Sequence, residues 1–257
     1  MAAILLAYAV ARFAGTPGRI LVIELFGIIL PLQIKLSTFV SVVVAGMTAS
    51  GTDWLLRERT SVDEKPTLQH LFLPALTAWG ISVPLGSLPF TPFWWLAFAG
   101  GAGLILLVLI AEYIVADPQD PRHAIVAPGL TALAYVLFLI LTISVSSIGL
   151  RLFLLLPAIW GTASMVSLRI IHLRNPGHWQ IGEAAAIGLI AAELAAVLHY
   201  LPISPISFGL ALLGLIYTLS NIVIGRERSD PTRQTLLDSL FMVIVLAVLA
   251  IWFRFQN

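Results

Sequence analysis

The chain contains no cysteine. That excludes disulfides, thiolate catalysis, and cysteine-ligated metals or iron–sulfur clusters. Charge is also scarce. Only 11% of the residues are Asp, Glu, Lys or Arg, against about 25% in a soluble domain. Lysine is confined to Lys35 and Lys65, so nearly all the cationic charge is arginine. The formal net charge is +1, and no basic patch is present to hold a polyanion, which excludes nucleic acid as a partner. No Asn-x-Ser/Thr sequon occurs. In place of charge there is apolar surface: 59% of the 257 residues are hydrophobic, and the mean hydropathy is +0.99. A soluble fold of this size cannot hide that much apolar surface. The composition therefore excludes a cytosolic enzyme and a disordered chain, and points to a polytopic membrane protein.

A membrane-spanning helix needs about 20 mainly apolar residues. The stretches that qualify are Ser37–Leu56, His70–Leu88, Phe93–Val115, Ala124–Ser146, Leu150–His172, Gln180–Tyr200, Ile206–Ile224 and Leu236–Phe253. Ala2–Ala14 is shorter. It reads as a thin span, an interfacial helix or a signal-like segment, although no cationic region precedes Ala9-Val10-Ala11. Ile20–Ser37 has a different character. Leu30, Leu32, Ile34 and Leu36 alternate with Pro31, Gln33, Lys35 and Ser37, which is the period of a half-buried strand. With Gly27 as a turn residue, the segment is expected to form a β-hairpin. An open sheet edge cannot sit in lipid, so the hairpin is expected at the outer interface or against protein.

The cations of the short loops set the orientation. With nine spans, Arg57, Arg59, Lys65, Arg122, Arg169, Arg174, Arg226, Arg228 and Arg233 share one side. Arg12, Arg19, Lys35, Arg151 and Arg254 share the other. The larger set is assigned to the cytoplasm, with the N-terminus inside. Trp94-Trp95 then falls at the outer interface, and Trp54 and Trp179 at the inner one, where Trp is favoured.

Two outer turns read alike. Leu85-Gly86-Ser87-Leu88-Pro89-Phe90-Thr91-Pro92 and Leu198-His199-Tyr200-Leu201-Pro202-Ile203-Ser204-Pro205 share the pattern L-x-x-L-P-x-[ST]-P. Downstream, Asp120-Pro121-Arg122 and Asp230-Pro231-Thr232-Arg233 also correspond. A parallel duplication of 70–146 onto 180–253 explains both matches. Convergent turn chemistry also explains them, since Pro opens helices and Asp caps them.

Glu193 is the group that lipid tolerates least. It lies well inside Gln180–Tyr200, a segment rich in Ala and Gly that is expected to pack centrally. As a functional group it is a protonatable carboxyl on an ion or proton path. As a structural group it pairs with Arg151 from the outer end of the preceding span. Glu112 closes a stripe with Gly101, Ile105 and Val108. Glu112 lies near the inner end of its span, and Asp53, Arg169, Glu183, Asn221 and Asp238 fall at similar depth on that side; Arg169 and His172 share a face, and together these are candidates for one polar cluster there. Span-end electrostatics explain the same residues without a pocket.

No His-Glu-x-x-His motif, Gly-x-Ser-x-Gly elbow or phosphate loop occurs, and the 5 histidines lack ligand spacing. Asp117-Pro118-Gln119-Asp120 offers two carboxylates, too few donors for an oxygen-ligated metal. No metal and no cofactor are expected.

Several stretches carry a likeness when taken together: Gly51-Thr52-Asp53-Trp54-Leu55-Leu56-Arg57, Leu73-Pro74-Ala75-Leu76-Thr77, Ala111-Glu112-Tyr113-Ile114-Val115-Ala116-Asp117-Pro118 and Tyr200-Leu201-Pro202. Through them the chain resembles an uncharacterised family of bacterial multi-pass membrane proteins, a domain of unknown function. The resemblance implies one membrane domain and a bacterial inner membrane, and it implies no catalytic residue.

The expectation is thus an all-α polytopic membrane helical bundle of roughly eight or nine transmembrane helices, with a small β-hairpin near the N-terminus. Residues 1–36 hold the short segment and the hairpin, and residues 37–257 the helical membrane domain. The bilayer is the expected partner, with other membrane proteins or further copies of the chain beside it. Two function classes stay open. One is a carrier-like protein or complex subunit handling an ion, a lipid or an apolar molecule. The other is an intramembrane lipid-modifying enzyme with its site at the cytoplasmic face.

Overall fold

The computed structural model describes residues 6–7, 9, 19–25, 28–34, 36–59, 69–117, 120–175, 180–228 and 232–255. Most of Ala2–Ala14, the loop 60–68, Gly27, Trp179 and Asp230-Pro231 lie outside the described residues. The chain forms two compact units, 1–116 and 117–257.

In the first unit, Arg19–Leu25 (β1) and Ile28–Ile34 (β2) pair antiparallel, from Arg19 opposite Ile34 to Leu25 opposite Ile28. Pro31 faces Val22 in this pairing; a two-stranded ribbon has only edge strands, where a missing N–H is tolerated. Pairing stops at Ile34. The alternation seen in the sequence runs on to Leu36, but Leu36 already opens a helix. Three helices follow: α1 (Leu36–Arg59), α2 (Gln69–Ser87) and α3 (Pro92–Val115). The core of the unit gathers Val44 of α1, Ala78, Ile81 and Leu85 of α2, and Trp94 and Ile105 of α3. Trp94 is 1% exposed and donates its indole N–H to the Leu85 carbonyl at 3.1 Å, which ties the start of α3 to the end of α2. Trp95, its neighbour, is exposed. Of the pair assigned to the outer interface, one ring is therefore a core residue and the other is on the surface.

The stripe Gly101, Ile105, Val108 and Glu112 is buried throughout. A Cβ at Gly101 would lie 2.6 Å from Cγ2 of Ile81, so the missing side chain is what lets α3 approach α2 so closely.

The second unit contains α4 (His123–Ser147), α5 (Leu152–Arg174), α6 (Ile181–His199), α7 (Pro205–Arg228) and α8 (Thr232–Phe255). Helix α4 does not start as the Asp-Pro pattern suggests. Asp120 is not its cap. The Asp120 carboxylate accepts the backbone N–H of Arg122 at 2.9 Å, a local Asx turn, and the helix begins only at His123. Pro92 and Pro205, by contrast, are each the first residue of a helix, so the two matching turns do the same local work. Gly149, at φ 66, makes the left-handed residue that ends α4 and turns the chain into α5.

Helix α7 is the hub of this unit and packs against α4, α5, α6 and α8. Its apolar window is 61% buried, against 33% for α6. The expectation that the Ala-rich helix is central is thus corrected. Ala184, Gly188, Ala191 and Ala195 form one buried stripe, and that stripe serves a close approach to α5. A Cβ at Gly188 would sit 2.0 Å from the Ser164 Oγ and 2.7 Å from the Trp160 carbonyl oxygen. Ile187 and Ala192 are buried beside the stripe, and Glu183, Leu189, Ile190, Glu193 and Val197 are exposed.

Among the described residues, six helices are long and apolar enough to cross a membrane: α1 and α3 through α7. Helix α8 contributes a shorter apolar stretch, Leu237–Trp252. The count by length and composition is therefore lower than the eight or nine read from the sequence.

Candidate functional site

In the first unit, the start of α2 meets the end of α3. Glu112 is fully buried, and His70 is 8% exposed. The His70 Nδ1 and the Glu112 Oε2 lie 2.9 Å apart. When Glu112 is ionised, Nδ1–H is the donor, and the bond fixes the orientation of the ring. An antiparallel helical hairpin places residues opposite one another when they stand at equal distances from the turn. His70 and Glu112 flank the turn at 88–91 almost symmetrically. The sequence pattern singled out Glu112 but passed over His70, because only the hairpin geometry makes them a pair.

Asp53 does not join them. Its carboxylate accepts from Arg57 Nε at 2.7 Å, one turn along α1, and both side chains are at least partly exposed. An exposed i, i+4 pair of this kind stabilises by about 0.3–0.5 kcal/mol. Trp54 beside it is 67% exposed, as suits a ring at an interface.

In the second unit, Arg169 is 1% exposed, whereas Glu183 and Asp238 lie on the surface. Glu183 and Asp238 therefore do not share the buried position of Arg169. Glu183 sits in the first turn of α6, where a carboxylate complements the helix dipole. Polar contacts between the end of α5 and α7 take in Asn221 of the candidate cluster and three residues outside it. Arg174 Nη1 donates to Asn221 Oδ1 at 3.2 Å, and Asn175 Nδ2 donates to Glu227 Oε2 at 3.0 Å.

Glu193 is exposed on α6, and Arg151 is exposed at the N-cap of α5. Among the described residues no ion pair joins them. Glu193 lies roughly 18 Å along α6 from its start, at 1.5 Å per residue, and so within the span rather than at its end. A charge near the centre of a span costs about 2.5–3.5 kcal/mol on insertion scales. Beside Glu193 runs a groove of about 450 Å³ between α5 and α6, lined by Leu156, Pro157, Trp160, Leu189 and Ala192. Trp160 donates its indole N–H to the Ala185 carbonyl at 3.3 Å, so the ring is held while remaining 47% exposed.

No group of three or more His, Asp or Glu side chains that could hold a metal occurs among the described residues. Among the described residues, the arrangement offers chemically the buried, hydrogen-bonded His70–Glu112 pair and, within an apolar helix, the outward carboxyl of Glu193.

Six helices long and apolar enough to cross a membrane mark a helical, membrane-like protein. The chain belongs to DUF5656, a family described as proteins of unknown function, whose profile matches residues 16–253. The likeness to an uncharacterised family, drawn from the short motifs, is thereby borne out over nearly the whole chain. Neither a curated protein nor a solved structure matches it.

Proposed function

We propose that this protein is a non-enzymatic, carrier-like protein of a bacterial inner membrane that handles an ion, with the His70–Glu112 pair as its proton-binding element. The observation that carries this reading is the burial of Glu112 in hydrogen-bond contact with His70. Well-packed apolar residues often replace a buried ion pair at no cost in stability. A pair kept within a membrane helix hairpin therefore points to work done by its proton. The imidazole and the carboxylate offer two places for that proton, 2.9 Å apart. In this reading the cation-rich loops face the cytoplasm, so the pair lies near the inner end of the hairpin, and the β-hairpin lies at the outer interface. Glu193 serves either the same carrier or a neighbouring subunit.

The test is proton flux into liposomes that contain the purified chain and a trapped pH dye, driven by a potassium diffusion potential. Wild-type liposomes should acidify faster than protein-free ones. Glu112→Gln should abolish the excess while the protein still melts cooperatively, and Glu112→Asp should retain part of it. Acidification no faster than in empty liposomes would sink the reading.

A second reading is favoured by the same geometry. An imidazole oriented by a carboxylate is the base-and-orienter half of an acid–base site, as a lipid-modifying enzyme at the inner face requires. Incubation with a bacterial lipid extract, followed by mass spectrometry, separates the two. Only the enzyme yields a lipid product that disappears with His70→Gln.

A further inference from the structure

Glu193 and the groove beside it lie in the second unit and are independent of the His70–Glu112 pair. A carboxyl exposed within an apolar span lacks both water and a counter-charge. Among the described residues no ion pair reaches Glu193, and Arg151 caps the start of α5 at the open end of the α5–α6 hairpin. The groove bordered by Glu193 is shallow and open, with Leu156, Pro157 and Leu189 on its walls; its own surface is wholly apolar, and the exposed Glu193 carboxyl stands at its edge. Trp160 lines the same groove. Its N–H is committed to the Ala185 carbonyl, which holds the ring beside the groove.

We propose that this groove binds a lipophilic monocation, an amine or onium compound with an apolar body. The volume of about 450 Å³ suits the apolar body, and the charge is met at the edge of the groove rather than within it. The apolar body lies against Leu156, Pro157 and Leu189. The cationic centre pairs with the Glu193 carboxylate and is attracted to the indole ring, the strongest of the aromatic partners for a cation. Charge decides between this occupant and its rivals. A lipid tail would leave the carboxylate bare, and an anion would be repelled. In a second copy related by a twofold axis along the membrane normal, Glu193 would lie at the same depth and oppose its own like charge.

The experiment measures equilibrium binding of radiolabelled tetraphenylphosphonium to the full chain in phosphatidylcholine nanodiscs, with protein-free discs subtracted. Tetraphenylborate, of nearly the same shape and opposite charge, is the control. Saturable phosphonium binding is expected, with no matching borate binding. Glu193→Gln should weaken it about tenfold or more, and Trp160→Leu several-fold. Glu193→Asp should keep most of the affinity, and all three variants should melt within a few degrees of wild type. Equal phosphonium binding by wild type and Glu193→Gln would overturn the proposal, as would tighter binding of the borate. A wild-type dimer that Glu193→Gln converts to a monomer, with no phosphonium binding in either, would also overturn it by assigning the groove to a second copy.

Discussion

Gly188 of α6 leaves no room for a side chain facing Ser164 of α5. A Cβ built on it would stand 2.0 Å from the Ser164 Oγ and 2.7 Å from the backbone oxygen of Trp160. The serine can rotate away, but the backbone carbonyl cannot. Gly188→Ala is therefore expected to lower stability by at least the ~1–3 kcal/mol typical of overpacking, and Gly188→Val by more. Thermal melts in detergent measure this. Ser164→Gly should rescue Gly188→Ala only in part, because the contact with the Trp160 carbonyl remains.

His70 and Glu112 should be energetically coupled. Glu112→Gln keeps the size of the side chain but removes the charge that the imidazole meets, and His70→Phe leaves a buried carboxylate without this partner. Each single change should cost about 1–3 kcal/mol. The double variant should cost less than the sum, since the two groups are in contact. Strict additivity in a double-mutant cycle would show that the bond contributes nothing to stability.

Glu193 and Arg151 should behave in the opposite way. Both are exposed, and no bond joins them among the described residues. Glu193→Gln and Arg151→Gln should each leave the melting temperature nearly unchanged, with additive effects in the double. A large drop for either single variant that vanishes in the double would reveal an ion pair formed in the bilayer.

The Trp94 indole N–H is bound to the Leu85 carbonyl inside the core of the first unit. Trp94→Phe should cost about 1 kcal/mol for the lost hydrogen bond, and Trp94→Ala about 3–5 kcal/mol for the cavity. Trp95→Ala, on the surface, should change little. Equal effects at the two positions would contradict the burial difference between them.

The absence of cysteine makes topology directly measurable. A single Cys at Phe90 or Tyr200, both exposed, should react with an impermeant maleimide added to intact cells. A Cys at Asp63 or Arg226 should react only after the membrane is opened. Labelling of the Asp63→Cys protein from outside would reverse the orientation drawn from the loop cations.

Local signals were the legible part of this chain. The stripe ending at Glu112 could be read because a glycine and three larger residues repeat at helical spacing. The turns before α3 and α7 could be read because Pro fixes the first residue of a helix. The packing order of the helices could not be read. In a soluble protein the apolar face points inward, but lipid is as apolar as a protein core. Hydropathy therefore does not distinguish the buried side of α6 from its lipid side, or the hub α7 from its neighbours. Glu193 shows the cost of that ambiguity. Its charge suggested an inward position, whereas the Ala184, Gly188, Ala191 and Ala195 stripe claims the inward side of the helix. His70 was missed for another reason, because its partner lies on the next helix and no spacing along one helix reveals it.

The central place of α7 bears on how the second unit is made. It is the fourth of five helices to leave the ribosome, yet α4, α5, α6 and α8 all pack on it. Helices α5 and α6 can close on each other as soon as both are inserted, through the glycine contact at 188. Helix α4 packs on α5 first and gains its larger contact only when Pro205–Arg228 has been made. Biogenesis of this half therefore has a late commitment point. A nascent chain halted just after His199 should present a closed α5–α6 hairpin, with α4 packed on α5 alone.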